Sequence, residues 1–131
     1  MEIKIVLGKV CLKKKTGFVC RFVPHSPNFK MHWAEKARWS KEWREQAYYL
    51  TKEKLIVPNR KKPVILEAFI YSTHPQDQDN AMASIKAIID GIKLGGAMVD
   101  DSPSWCEMKI QVFKVNKVEE QHVEVTVSTV D

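Results

Sequence analysis

The run Val64-Ile-Leu-Glu-Ala-Phe-Ile-Tyr-Ser72 is apolar at nearly every position, follows a proline, and is rich in the β-branched and aromatic residues that favour extended chain. Near-continuous apolar character of this kind suggests a strand in the middle of a sheet rather than at its edge. The rest of the chain must then supply neighbouring strands and something to cover them.

Both are readable on either side. EIKIVL, residues 2–7, and GFVCRFV, residues 17–23, alternate or run apolar, and KKKTG at residues 13–17 reads as the turn of a hairpin between them. Pro24 and Pro27 interrupt the chain, after which residues 34–54 contain neither Gly nor Pro and set Trp39, Trp43, Ala47 and Leu50 along one face, as in a helix. A second helix is expected to begin near Asn80, with Met82, Ile85, Ile89 and Ile92 at three- and four-residue spacing, and to stop at Gly95-Gly96. WCEMKIQVFKVN and HVEVTVSTV read as alternating strands joined by a polar turn around Glu119 to Gln121. The expectation is an α+β fold: a single compact domain with a mixed sheet and two helices, in the order β-β-α-β-α-β-β. A chain of 131 residues is enough for one such core.

No apolar run approaches bilayer length, and the first lysine cluster follows the opening apolar residues instead of preceding them, so neither membrane insertion nor secretion is expected. Cys11, Cys20 and Cys106 are odd in number and show no Cys-x-x-Cys spacing, which supports neither a disulfide framework nor a zinc site and suits a reducing cytoplasm. The net charge of +5 conceals an asymmetry: residues 1–62 carry sixteen Lys and Arg against five Asp and Glu, residues 63–131 five against eleven. A basic surface attracts a polyanion through phosphate neutralisation. The acidic half would repel the same polyanion unless a cation sat among its carboxylates.

Those carboxylates are patterned. HPQDQDN places Asp77 and Asp79 on alternate residues after the central strand, where an extended backbone points both to one side. Asp100-Asp101 follows the second helix. Part of this has an ordinary explanation: Asp79 or Asn80 suits a helix N-cap, Asp77 is favourable beside a helix start, Asp100-Asp101-Ser-Pro is turn composition, and Lys86 can pair with Asp90 at i+4. If the two pairs converge, however, they form an all-oxygen set that stays ionised around a divalent cation, Mg²⁺ or alternatively Mn²⁺ rather than zinc.

The whole segment DQDNAMASIKAIIDGIKLGGAMVDDS resembles the signature of the RusA family of Holliday-junction resolvases, in which Asp-x-Asp-Asn opens a helix bearing a Lys and then Asp-Gly or Asp-Ala, and an Asp-Asp pair follows. Asp77, Asp79, Asn80, Lys86, Asp90, Asp100 and Asp101 occupy those places. A weaker likeness lies in PHSPNFKMHWAEKARWSKEWR, similar to the family's Pro/Ser/Asn-containing loop and basic helix. One departure stands out: the best-known pattern has its Lys four residues after the second Asp, whereas Lys86 lies seven after Asp79. Three added residues keep it within about 60° of the same helix face and roughly 4.5 Å farther along the axis. The departure suggests a divergent, phage-associated subgroup.

The resemblance implies a RusA-like fold and an endodeoxyribonuclease that resolves four-way DNA junctions by paired phosphodiester hydrolysis in recombination and repair, acting as a homodimer. It assigns catalysis to Asp77, Asp79, Lys86 and Asp101, and Mg²⁺ to Asp77, Asp79, Asp100 and Asp101. Candidates for holding DNA phosphates are Lys13, Lys14, Lys15, Lys30, Arg38, Lys41 and Arg44 in the basic half. His74 beside the acidic motif reads first as polar loop surface, Trp39 and Trp43 as core or dimer contact rather than base-stacking platforms, Trp33 as a possible stacking residue, and Cys106 as a buried apolar residue. Two rivals remain: a branched-DNA-binding protein of the same fold without cleavage, and a metal-dependent sugar-nucleotide enzyme, which also uses Asp-x-Asp but for which the chain offers no Gly-rich nucleotide turn.

Overall fold

The computed structural model describes residues 1–130. Its elements in chain order are β1 (Glu2–Leu7), β2 (Val10–Lys14), β3 (Gly17–Arg21), α1 (Trp33–Lys54), β4 (Val64–Ser72), α2 (Gln78–Ser84), α3 (Lys86–Leu94), β5 (Cys106–Lys114), a 3-10 turn at Val118–Glu120 and β6 (His122–Thr129). The main sheet has the order β1-β6-β4-β5, with β4 and β5 parallel and the other pairs antiparallel, while β2 and β3 form a separate hairpin. The fold is α+β with a mixed sheet, and β4 lies between two neighbours as its apolar sequence requires.

Val64, Leu66, Ala68, Ile70 and Ser72 of β4 are buried on the inner face, which the helices cover, and the alternate residues point outward. The apolar residues of that outer side belong to an aromatic row: Tyr71 stacks on Phe113 at 5.2 Å and on His122 at 4.4 Å, its direct neighbours on β5 and β6. Inside, α1 buries Trp39, Trp43, Ala47 and Thr51, with Leu50 half-buried beside them. The α1–α3 contact is set by Gly91, where an added Cβ would lie 2.3 Å from the Arg44 carbonyl oxygen and 2.8 Å from Ala47 Cβ. Only a residue without a side chain lets the two helices approach so closely.

Several expectations need correction. There are three helices, not two, and a third strand near the N-terminus, so the order is β-β-β-α-β-α-α-β-β. The expected second helix is divided at Ile85, whose backbone leaves helical geometry (φ −96°, ψ 9°) where the Ser84 hydroxyl donates back to the Ala81 carbonyl at 2.8 Å. It also begins earlier, with Asp77 rather than Asp79 or Asn80 as N-cap, and Met82 lies exposed rather than on the buried face. β1 does not pair with residues 17–23. Its buried Ile3, Ile5 and Leu7 register instead with Val127, Val125 and Val123 of β6.

The hairpin is β2–β3, with Lys13 and Lys14 inside β2 and a tighter turn at Lys15-Thr16. That register puts Cys11 directly opposite Cys20, Cα atoms 4.0 Å apart, and they form a disulfide, contrary to the reading of unpaired cysteines. The rule based on Cys-x-x-Cys spacing does not see a cross-strand pair. Cys106 is free and buried. The hairpin is tied to α1 by Arg38, whose guanidinium donates to the Lys13 carbonyl at 3.0 Å, and by a Lys14–Glu35 ion pair. Among the described residues no helix is long and apolar enough to cross a membrane.

Candidate functional site

Lys86, Asp90 and Lys93 fall at i, i+4 and i+7 along α3 and so share one face. The loop after α3 returns along that face because Gly96 adopts φ +95°, Ala97 and Met98 are buried, and the Trp105 carbonyl accepts from Val64 N–H. Asp100 and Asp101 are thereby held against the helix. Lys86 Nζ donates to Asp90 Oδ1 at 3.0 Å and to Asp101 Oδ2 at 2.5 Å, and Lys93 Nζ lies 3.6 Å from Asp100 Oδ1 and 3.9 Å from Asp101 Oδ1. The Asp101 amide donates to Asp100 Oδ1 at 2.9 Å. The hydrogen bond from Lys86 holds the Asp101 carboxyl below its ordinary value, and the bonds to Asp101 and Asp90 raise the Lys86 ammonium above its own.

Asp77 and Asp79 are arranged differently. Asp77 caps α2, accepting from the Asn80 amide at 2.9 Å, with the Asn80 side chain 3.4 Å from its second oxygen. Asp79 is exposed and lies in the first helical turn, so the two do not share an extended backbone as the alternation suggested. The start of α2 is pinned to β5 by Gln78, whose side chain donates to the Ile110 carbonyl. Among the described residues no hydrogen bond or ion pair links Asp77 or Asp79 to Asp100 or Asp101, and no group of three or more His, Cys, Asp or Glu is gathered as a metal cage. His74 is exposed, 3.1 Å from the Thr73 hydroxyl.

Around Asp101 the structure sets the Asp100 carboxylate, the Lys86 and Lys93 ammonium groups and the nearby Cys106 thiol. Burial, reinforced by the Asp101 charge, pushes the neighbouring Cys106 thiol up to about 11, so it stays protonated at neutral pH. The four carboxylates that the resemblance implies for Mg²⁺, Asp77, Asp79, Asp100 and Asp101, are not gathered into one site among the described residues.

Of the basic candidates, Lys13, Lys15, Lys30, Arg38 and Lys41 are exposed. Lys14 is engaged by Glu35, and Lys41 stands 3.8 Å from Glu45. The Arg38–Lys13 bond brings the hairpin tip and α1 into one basic surface. Arg44 is half-buried and borders a cavity of about 250 Å³ enclosed by the Pro24–Met31 loop, α1 and the α2–α3 junction. Lys86 and Asp90 also line it, together with Lys36, so of the acid cluster only Asp90 reaches this cavity, and of the basic candidates only Arg44. Trp39 and Trp43 are core residues that also line this cavity, whereas Trp33 is 76% exposed.

Three participants escaped the sequence reading. Lys93 was detectable, being two helical turns from Lys86. Lys36, on α1 three residues before Trp39, was detectable by the same helical periodicity, whereas His25 was not, since only the folded loop brings it to the cavity. No protein-family model matches the chain, and no curated protein matches it.

Proposed function

We propose that the chain is a RusA-like, Mg²⁺-dependent endodeoxyribonuclease that resolves four-way DNA junctions by paired hydrolysis of phosphodiesters. The observation that carries this is the Lys86 ammonium bridging Asp90 and Asp101, with Asp100 alongside, and Lys86 and Asp90 lining a cavity that Lys36 and Arg44 also line. Nuclease chemistry needs this juxtaposition: carboxylates to hold a cation and a cationic surface to hold the substrate. When bound, the ion neutralises the scissile phosphate and lowers the pKa of an attacking water.

In this reading Lys86 stabilises the negative charge that builds on the phosphate, releasing Asp101 as it does so. The exposed Lys13, Lys15, Lys30, Arg38 and Lys41 hold the flanking backbone, giving binding that weakens steeply with salt. Two cuts in a two-fold symmetric junction call for two equivalent sites, which a homodimer supplies. In a cytoplasmic setting the Cys11–Cys20 pair would be kept as thiols.

A second reading, branched-DNA binding without cleavage, is favoured by one feature: Lys86 and Lys93 already neutralise the Asp100-Asp101 pair. Asp79→Asn and Asp101→Asn decide between them. Each should abolish Mg²⁺-dependent nicking of a synthetic four-way junction while leaving binding in Ca²⁺ intact. Undiminished cutting by the variants would remove these carboxylates from catalysis, and a wild type that binds but never nicks in Mg²⁺ or Mn²⁺ would establish the non-catalytic reading.

A further inference from the structure

A cavity lies between the loop of residues 24–31, α1 and the α2–α3 junction. Its volume of about 250 Å³ is just below the ~300–1,000 Å³ of typical small-ligand pockets, room for a single nucleotide-sized group. Its walls are aromatic: the His25 ring lies 4.8 Å from Phe29 and 5.1 Å from Trp39. Phe29, 56% exposed, brings its ring to the cavity from the loop. Trp43, also lining the cavity, is only 2% exposed, yet its indole N–H has no acceptor among the described residues. A buried donor without a partner is costly, and an incoming acceptor would satisfy it.

Three cations and one carboxylate, Asp90, line the cavity as well. Lys36 and Arg44 line the cavity with no carboxylate partner among the described residues, and Lys86, paired with Asp90 and Asp101, lines it too. Burial, aided by the charge of Arg21, depresses His25 to about 4, so at neutral pH its ring is uncharged and available for stacking.

We propose that this cavity receives one unpaired nucleotide of the DNA substrate, its base against Phe29, His25 and Trp39 and its phosphate toward Lys36, Arg44 and Lys86. The inference rests on the chain being a DNA-binding protein, and it adds to the nuclease reading a reason for preferring branched DNA, where bases are free to leave the stack. Aromatic stacking tolerates any base, and the pocket is therefore expected to read unpairedness rather than sequence.

The test needs no cutting. Binding of the full chain is measured by fluorescence anisotropy in Ca²⁺, using a duplex with a short thymidine gap and the same duplex with abasic residues in the gap. Wild type should bind the thymidine gap about 10-fold more tightly. The double variant His25→Ala/Phe29→Ala, which alters two side chains of the loop and none of α1, should bind both at the abasic level. Lys36→Gln should weaken both equally and keep the preference. Equal wild-type affinity for the two gaps, or a preference that survives in the double variant, overturns the proposal. Displacement of the gapped duplex by micromolar dTMP would assign the cavity to a free nucleotide and overturn it as well. A protein that shows the base preference but never nicks keeps this inference and loses the nuclease reading, whereas one that nicks without the preference does the reverse.

Discussion

At the start of α2 the Asp77 carboxylate accepts from the backbone and side chain of Asn80, whereas in the loop beyond α3 the Asp101 carboxylate accepts from Lys86 and lies beside Lys93. One acid starts a helix and the other balances charge, although both stand in short acidic pairs of similar appearance. The difference lies in the donor. Amide donors fix Asp77 to its own segment, while ammonium donors at the ends of flexible chains leave Asp101 able to exchange partners.

The widest separation between the two should appear when activity and stability are measured together. Asp101→Asn should lower junction cutting by about 100-fold or more, yet change the free energy of urea unfolding by less than about 1 kcal/mol, because partly exposed ion pairs contribute little. Loss of several kcal/mol would mean that the cluster is structural.

Asp77 should behave in the opposite way. Asp77→Ala should cost about 1 kcal/mol of unfolding free energy through the lost cap, while Asp77→Asn should cost only a few tenths, since Asn caps nearly as well. If Asp77→Asn unfolds like wild type but fails to cut, its charge matters beyond the helix end.

The smallest effect is a titration. The Asp101 carboxyl should titrate below its ordinary 3.8 by carbon-detected NMR and move back up in Lys86→Met. The folded Asp101 value is depressed, so the stability it contributes is present above 3.8 and lost as pH falls through the lower folded value. Lys86 is raised, so its contribution is present below 10.5 and lost as pH climbs through the folded value. A titration unmoved by Lys86→Met would break the pairing.

Legibility in the sequence followed the range of the interaction. Trp39, Trp43 and Ala47 announced the buried face of α1 because helical spacing is local, and β4 announced its central place by composition. The partner of β1 could not be read, since Ile3 opposite Val127 depends on the last strand of the chain. Cys11 and Cys20 become partners only after the turn is tightened to Lys15-Thr16. At the site, Lys86–Asp90 was visible as an i, i+4 pair, but the bond from Lys86 to Asp101 depends on how Gly96 and the buried Ala97 and Met98 route the following loop. The break at Ile85 was hidden because a single Ser84 hydroxyl diverts a carbonyl within an otherwise helical pattern.

The intimate seating of Gly91 against Arg44 and Ala47 has a mechanical corollary. With no side chain to act as a cushion, the helix bearing Arg38, Lys41 and Arg44 and the helix bearing Lys86 and Asp90 are gauged like two rails on one sleeper. A methyl group inserted at Gly91 would widen that gauge and shift the cationic face of α1 relative to the acid cluster, displacing both without touching either.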